Sequence, residues 1–214
     1  MDTPTLGVIA DDVTGAADLA DAVCEEGWSA VVVFGVPETP LPPCDCAVVA
    51  LKSRTAPVAV AVEESVAAAR HLLESGAPLL YQKYCSTFDS TDRGNIGPVA
   101  DALRDVTGAD ISVATPATPR SGRTVYQGHL FVGRRLLADS SMRDHPLTPM
   151  RDSDLVAVLA RQTPGLVALV DHATVANGVP AVEAAIESAR EAAVVFDPRF
   201  PPSPQRRPSV IWSR

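Results

Sequence analysis

The segment Lys83-Tyr-Cys-Ser-Thr-Phe-Asp-Ser-Thr-Asp-Arg-Gly-Asn-Ile-Gly-Pro98 concentrates groups that can handle a small polar molecule. Lys83 and Arg93 can neutralise a carboxylate, Arg93 through the planar fork of its guanidinium. Asp89 and Ser90 can take hydroxyl groups, with Thr91 and Asn95 supplying further polar contacts. Gly94 lets backbone approach a ligand closely. Helix capping by Asp92 or Asn95 accounts for those two residues, but not for Lys83, Asp89 and Arg93.

A second constellation is Ala10-Asp-Asp-Val-Thr-Gly-Ala16. Two adjacent carboxylates, Asp11 and Asp12, at the end of an apolar run can bind hydroxyls, accept a proton or hold a metal. Capping the following helix explains one of them. Two further segments carry cations. Arg54 lies in Ser53-Arg-Thr55, where it suits an anion as well as a surface ion pair. Arg123 lies in a loop stiffened by Pro116 and Pro119 and freed to turn at Gly122, where it suits a ligand clamp. The four histidines have no metal-site spacing, and no metal site is read from them. No phosphate-cradling glycine loop occurs.

These segments need elements to position them. Thr5–Ala10, Ser29–Phe34, Cys46–Leu51, Leu79–Lys83 and Ile111–Ala114 read as strands, as do Leu166–Val170 and Ala193–Phe196. Helices are expected over Ala16–Glu26, from Pro57 to Ser75, over Gly97–Val106, Asp152–Arg161 and Val179–Glu191. Thr124–Val132 reads as a hairpin or an extended excursion. The alternation implies an α/β fold, a mostly parallel sheet with helices on both faces in three layers. Ligands in such sheets sit beyond the carboxyl ends of the strands. Asp11–Asp12, Lys52–Arg54, Lys83–Asn95 and Thr115–Arg123 all follow strands, so they are expected on one rim.

Composition bounds the reading. The chain has 214 residues, 46% of them hydrophobic, and a net charge of −8. That charge speaks against nucleic acid and anionic membrane as partners. The four cysteines lack zinc spacing and read as thiols of a reducing, cytoplasmic setting. No signal pattern opens the chain, and no apolar run nears the roughly 20 residues of a membrane span. Five prolines after Asp197 exclude regular structure there, so 197–214 is expected to be a mobile tail.

Three motifs in order, Ala10–Ala16, Lys83–Pro98 and Gly122-Arg-Thr-Val-Tyr-Gln-Gly128, resemble the four-carbon acid sugar kinase family. With Met142-Arg-Asp-His-Pro146 and Thr148-Pro-Met150, the chain is most similar to its 3-oxo-tetronate kinase branch. The resemblance covers roughly residues 5–195 and implies the N-terminal, acid-sugar-binding domain, taken as 1–196, with the C-terminal nucleotide-binding domain absent. It implies that Lys83, Arg54, Arg93 or Arg123 fixes the substrate carboxylate. Asp12 or Asp89 orients the terminal hydroxyl and accepts its proton. ATP and magnesium serve the intact family enzyme, with none expected on this chain alone. Two outcomes follow: a kinase part that works with a nucleotide-binding partner chain, or an inactive acid-sugar-binding module or remnant.

Overall fold

The computed structural model describes residues 3–89, 91–189 and 192–197. Ser90, and the tail apart from Asp197, lie outside the described residues.

The first half of the chain builds one parallel sheet. It comprises β1 (Leu6–Ala10), α1 (Val13–Glu25), β2 (Ala30–Phe34), β3 (Cys46–Ala50), α2 (Val58–Glu74), β4 (Leu79–Lys83) and α3 (Ile96–Thr107). The strands run in the order β2-β3-β1-β4. β3 is buried at all five positions, and β1 at four of five. Such unbroken apolar runs suit parallel strands covered on both faces. α1 covers one face, packing Leu19, Ala20 and Val23 on Val8, Val48 and Ala50. α2 and α3 cover the other, with Leu72, Val99 and Leu103 on Ile9 and Val49. The expected three layers are therefore present here.

The second half adds β5 (Ser112–Ala114), β6 (Arg123–Tyr126), β7 (His129–Val132), β8 (Arg135–Leu136), α4 (Leu155–Ala160), β9 (Leu166–Val170), α5 (His172–Ala176), α6 (Val179–Ser188) and β10 (Ala192–Phe196). The parallel strands are thus divided between two sheets, because β5 pairs with β10 in the order β5-β10-β9. Of the two expectations for 124–132 the hairpin is the one present, as β6–β7, within the antiparallel order β6-β7-β8. Its two-residue turn, Gln127–Gly128, has φ of 50° and 72°, the left-handed pair that suits twisted hairpins. α4 starts later than the expected Asp152, since Asp154 caps it by accepting from the Ala157 N–H at 3.0 Å. α5 is a short helix not expected from periodicity, capped by Asp171 on the Thr174 N–H.

What joins the halves also shapes the site. The loop after β4 leaves the first sheet and plants Phe88 and Ile96 in the second core, among Leu130, Leu155 and Val158. Phe88 is fully buried and meets the Tyr84 ring edge-on at 5.3 Å.

Candidate functional site

Three of the four polar segments meet at the carboxyl end of the first sheet. The Asp11 N–H donates to the Lys83 carbonyl at 2.9 Å, which continues the β1–β4 pairing past the strand ends. The Asp11 carbonyl accepts from the N–H groups of Ser53 and Arg54, which ties in the segment after β3. The fourth segment, 115–123, follows β5 and so ends on the rim of the other parallel sheet.

The paired carboxylates are engaged. Arg54 donates from Nε to Asp11 Oδ2 at 2.9 Å and from Nη2 to Asp11 Oδ1 at 2.7 Å. Nη2 also stands 2.8 Å from Asp12 Oδ1. Asp12 caps α1, taking the Gly15 N–H at 2.7 Å. Burial works against the Arg54 charge, but its bonds to Asp11 outweigh that and hold the guanidinium firmly protonated. Burial pushes the Asp11 carboxyl up, and the Arg54 bonds pull it back. Asp11 and Asp12 therefore do not fit a resident magnesium. Among the described residues, no group of three or more His, Cys, Asp or Glu forms a metal cluster.

Asp89 is held differently. Phe88 and Asp89 are consecutive residues with φ of 62° and 33°, a left-handed stretch that side chains with a Cβ rarely adopt. The buried Phe88 ring pins it. Asp89 is 4% exposed, and its Oδ1 has no partner among the described residues. Burial pushes this carboxyl up to about 6, helped by the charge of Asp11 and opposed by Arg54 and His145. A carboxylate poised so close to neutrality suits proton transfer.

Asn95 stands at the N-cap position of α3 but makes no capping bond through its side chain. Its Nδ2 donates instead to the carbonyls of Ser53, Ala56 and Arg54, at 2.7, 3.0 and 3.3 Å. It therefore clamps the 53–56 segment that carries Arg54. Gly94 gives a close approach, but to protein: a Cβ there would lie 2.3 Å from Gln162 Nε2. Gln162 is buried, accepts from the Gly97 N–H at 3.0 Å and donates to the Thr91 carbonyl at 2.9 Å.

A pinhole of about 10 Å³ lies between Asp11, Arg54, Asp89 and Asn95. In front of it opens a cleft of about 360 Å³, lined by Arg54, Thr55, Asp89, Thr91, Arg93 and Thr148 among others. That volume falls within the range of small-molecule sites. Arg93 is exposed and makes no ion pair among the described residues, while Asp92 is held by Arg161 at 2.6 Å. Lys83 does not line the cleft. Its Nζ donates to the Tyr84 carbonyl at 2.9 Å and lies against Gly15 of α1. Arg123 starts β6, donates to the Ser121 carbonyl and does not line the cleft either. Asp89 and Arg93 share the cleft with Arg54, Thr91 and Asn95, whereas Asp12, Lys83 and Arg123 stand outside its lining.

Sequence reasoning missed Gln162, Thr148 and His145. Gln162 carries no signal, since its partners are backbone groups 65 to 73 residues away. The 142–150 stretch had one: Met142 packs on the second core and Met150 is buried in it, so the loop between them is presented rather than loose.

Fold and site together define an α/β domain with a small-molecule cleft beyond its strand ends. Residues 6–199 match the family described as sugar-binding N-terminal domain, and the chain belongs to that family. A 3-oxo-tetronate kinase of Burkholderia multivorans is 53% identical over 188 residues, 87% of this chain and 44% of that protein. The Escherichia coli K12 3-oxo-tetronate kinase is 48% identical over 178 residues, covering 83% and 46%. A solved Haemophilus influenzae protein superposes with a TM-score of 0.84 at 47% identity, over 88% of this chain and 47% of that one. A Bordetella bronchiseptica protein, solved with bound citrate as a domain-swapped dimer, superposes at 0.76 with 30% identity, over 92% and 48%. The chain spans less than half the length of these relatives. Among the described residues, no helix is long and apolar enough to cross a membrane.

Proposed function

We propose that this chain is the acid-sugar-binding part of an ATP-dependent kinase for four-carbon sugar acids of the 3-oxo-tetronate type. The observation that carries the reading is the buried Asp89 carboxyl, whose Oδ1 has no partner among the described residues, opening on a cleft whose rim holds the exposed Arg93. In this reading Arg93 takes the ligand carboxylate, because Arg54 already serves Asp11 and Asp12. Arg54 has Nη1 left to meet a ligand oxygen. Asp89 orients a ligand hydroxyl and accepts its proton, while Asp11 and Asp12 fix Arg54. Lys83 sets the positive field at the α1 side of the rim. The names of the similar kinases support the substrate class, and the Bordetella bronchiseptica protein was solved with bound citrate, itself a hydroxy acid. ATP would supply the phosphoryl group, with magnesium neutralising its phosphate charge, and both would come from outside this cleft, on a nucleotide-binding domain or partner chain. In phosphoryl transfer the protein mainly positions groups and stabilises charge, which is the share these residues can take.

The test is titration calorimetry of the 214-residue chain with D-erythronate, D-threonate and a 3-oxo-tetronate, and separately with Mg-ATP. One of the acid sugars should bind. Arg93→Ala should weaken that binding roughly 10- to 100-fold, the range of a lost charge-assisted hydrogen bond. Unchanged affinity in Arg93→Ala, or no acid-sugar binding by the unaltered chain, overturns the reading.

A further inference from the structure

Asn95 offers the cleft more than its clamp on the 53–56 segment. Its amide is oriented by its partners. One end of the amide meets the backbone carbonyls of Ser53, Arg54 and Ala56, the farthest at 3.3 Å, and a carbonyl can only accept. That end is therefore the nitrogen, and the opposite end is the oxygen. Asn95 Oδ1 is buried and has no hydrogen-bond partner among the described residues, and the same holds for Asp89 Oδ1. Asn95 is 8% exposed, Asp89 4%. Both residues line the pinhole, and both line the cleft in front of it. Two buried acceptors without donors thus belong to one small site. A buried acceptor left unmet costs free energy that a donor recovers.

The chemistry of that donor is narrow. A carboxylate or phosphate oxygen cannot donate and would only meet two more oxygens. A metal cation would stand beside the Arg54 guanidinium, which lines the same two spaces and is held protonated by Asp11. Hydroxyl groups donate and bring no charge. We infer that Asn95 is a specificity-determining residue of the cleft: its Oδ1 and Asp89 Oδ1 take two hydroxyls on nearby carbons of one ligand. The ligand is then a polyhydroxy acid, laid with its hydroxyls on this pair and its carboxylate toward Arg93. The inference rests on the acid-sugar reading above and narrows it from any hydroxy acid to one with at least two hydroxyls. Asp89 serves the hydroxyl that gives up its proton, and the uncharged Asn95 amide serves its neighbour.

The test compares the acid sugar that binds in the titration above with 4-hydroxybutyrate, which keeps the carboxylate and the terminal hydroxyl but has no second one. On the unaltered chain the acid sugar should bind roughly tenfold or more tightly, the weaker ligand being measured by displacement. In Asn95→Ala that ratio should fall roughly tenfold. Loss of the clamp on the Arg54 segment weakens both ligands alike and cancels in the ratio, so a merely structural Asn95 would leave the ratio unmoved. A second readout needs no variant. The side-chain carbonyl carbon of Asn95 should shift in NMR on saturation with the acid sugar, and should not with 4-hydroxybutyrate. An unchanged ratio in Asn95→Ala, equal binding of the two ligands, or an unmoved carbon under saturating acid sugar overturns the inference and leaves the acid-sugar reading standing. Absence of acid-sugar binding by the unaltered chain removes that reading, and the inference with it.

Discussion

Asp89 carries opposite consequences for binding and for stability. Its carboxyl ordinarily titrates at 3.8 and is held at about 6 in the fold. Between these values the folded state binds more protons than the unfolded one, so this residue's contribution to stability falls as pH rises through that window. The penalty is fully present above about 6 and absent below about 4. Asp89→Asn should therefore stabilise the chain at pH 8, by on the order of 1–3 kcal/mol, and leave it nearly unchanged at pH 4. Urea unfolding at the two pH values measures the difference. The same substitution should weaken acid-sugar binding in calorimetry roughly 10- to 100-fold, since an amide oxygen still accepts a hydroxyl's hydrogen bond but without the charge of a carboxylate. Binding by the unaltered chain should strengthen as pH rises through about 6.

At the scale of elements, the site depends on side chains that hold backbone. Asn95 supports the Arg54 segment with three bonds, and Gln162 supports the 89–97 segment across 65 residues or more. Gly94→Ala should destabilise by about 1–3 kcal/mol, the usual range for overpacking. In a Gln162→Ala background the same change should cost less, because the amide it strikes has gone. A double-mutant cycle by urea unfolding checks this, and additive costs would contradict it. Much of the positioning was legible in the sequence. Asp11, Arg54 and Asp89 all follow apolar runs, and parallel strands place their carboxyl ends together. Two things were not. Periodicity marks strands but not their partners, so the division into two sheets and the separation of Arg123 from the cleft were invisible. A polar residue such as Gln162, bonded to distant backbone, looks like any surface glutamine until the chain has folded.

On the scale of the whole molecule, Phe88 couples the halves. It stands in the loop that leaves the first sheet, yet its ring fills the second core. Around it, Arg161 joins Asp92 to Asp152, and Thr163 donates to Asp101 on α3. Phe88→Ala should cost about 3–5 kcal/mol, as for other buried aromatic truncations. It should also uncouple the two halves, so that amide hydrogen exchange, uniform in the slowest protons of β1, β3 and β10 before the change, splits into two levels after it. Loss of stability without that split would show the halves to be held by these other links without Phe88.

The two left-handed residues, Phe88 and Asp89, make the site findable without any ligand. Asparagine and glycine sit more easily than aspartate in that backbone region, and neither carries the buried charge. A library selected for thermal resistance alone should therefore gather replacements at position 89 early and often. The substitutions it rewards most would be those that weaken binding, so heat, applied blindly, would draw a map of what the fold keeps for its ligand.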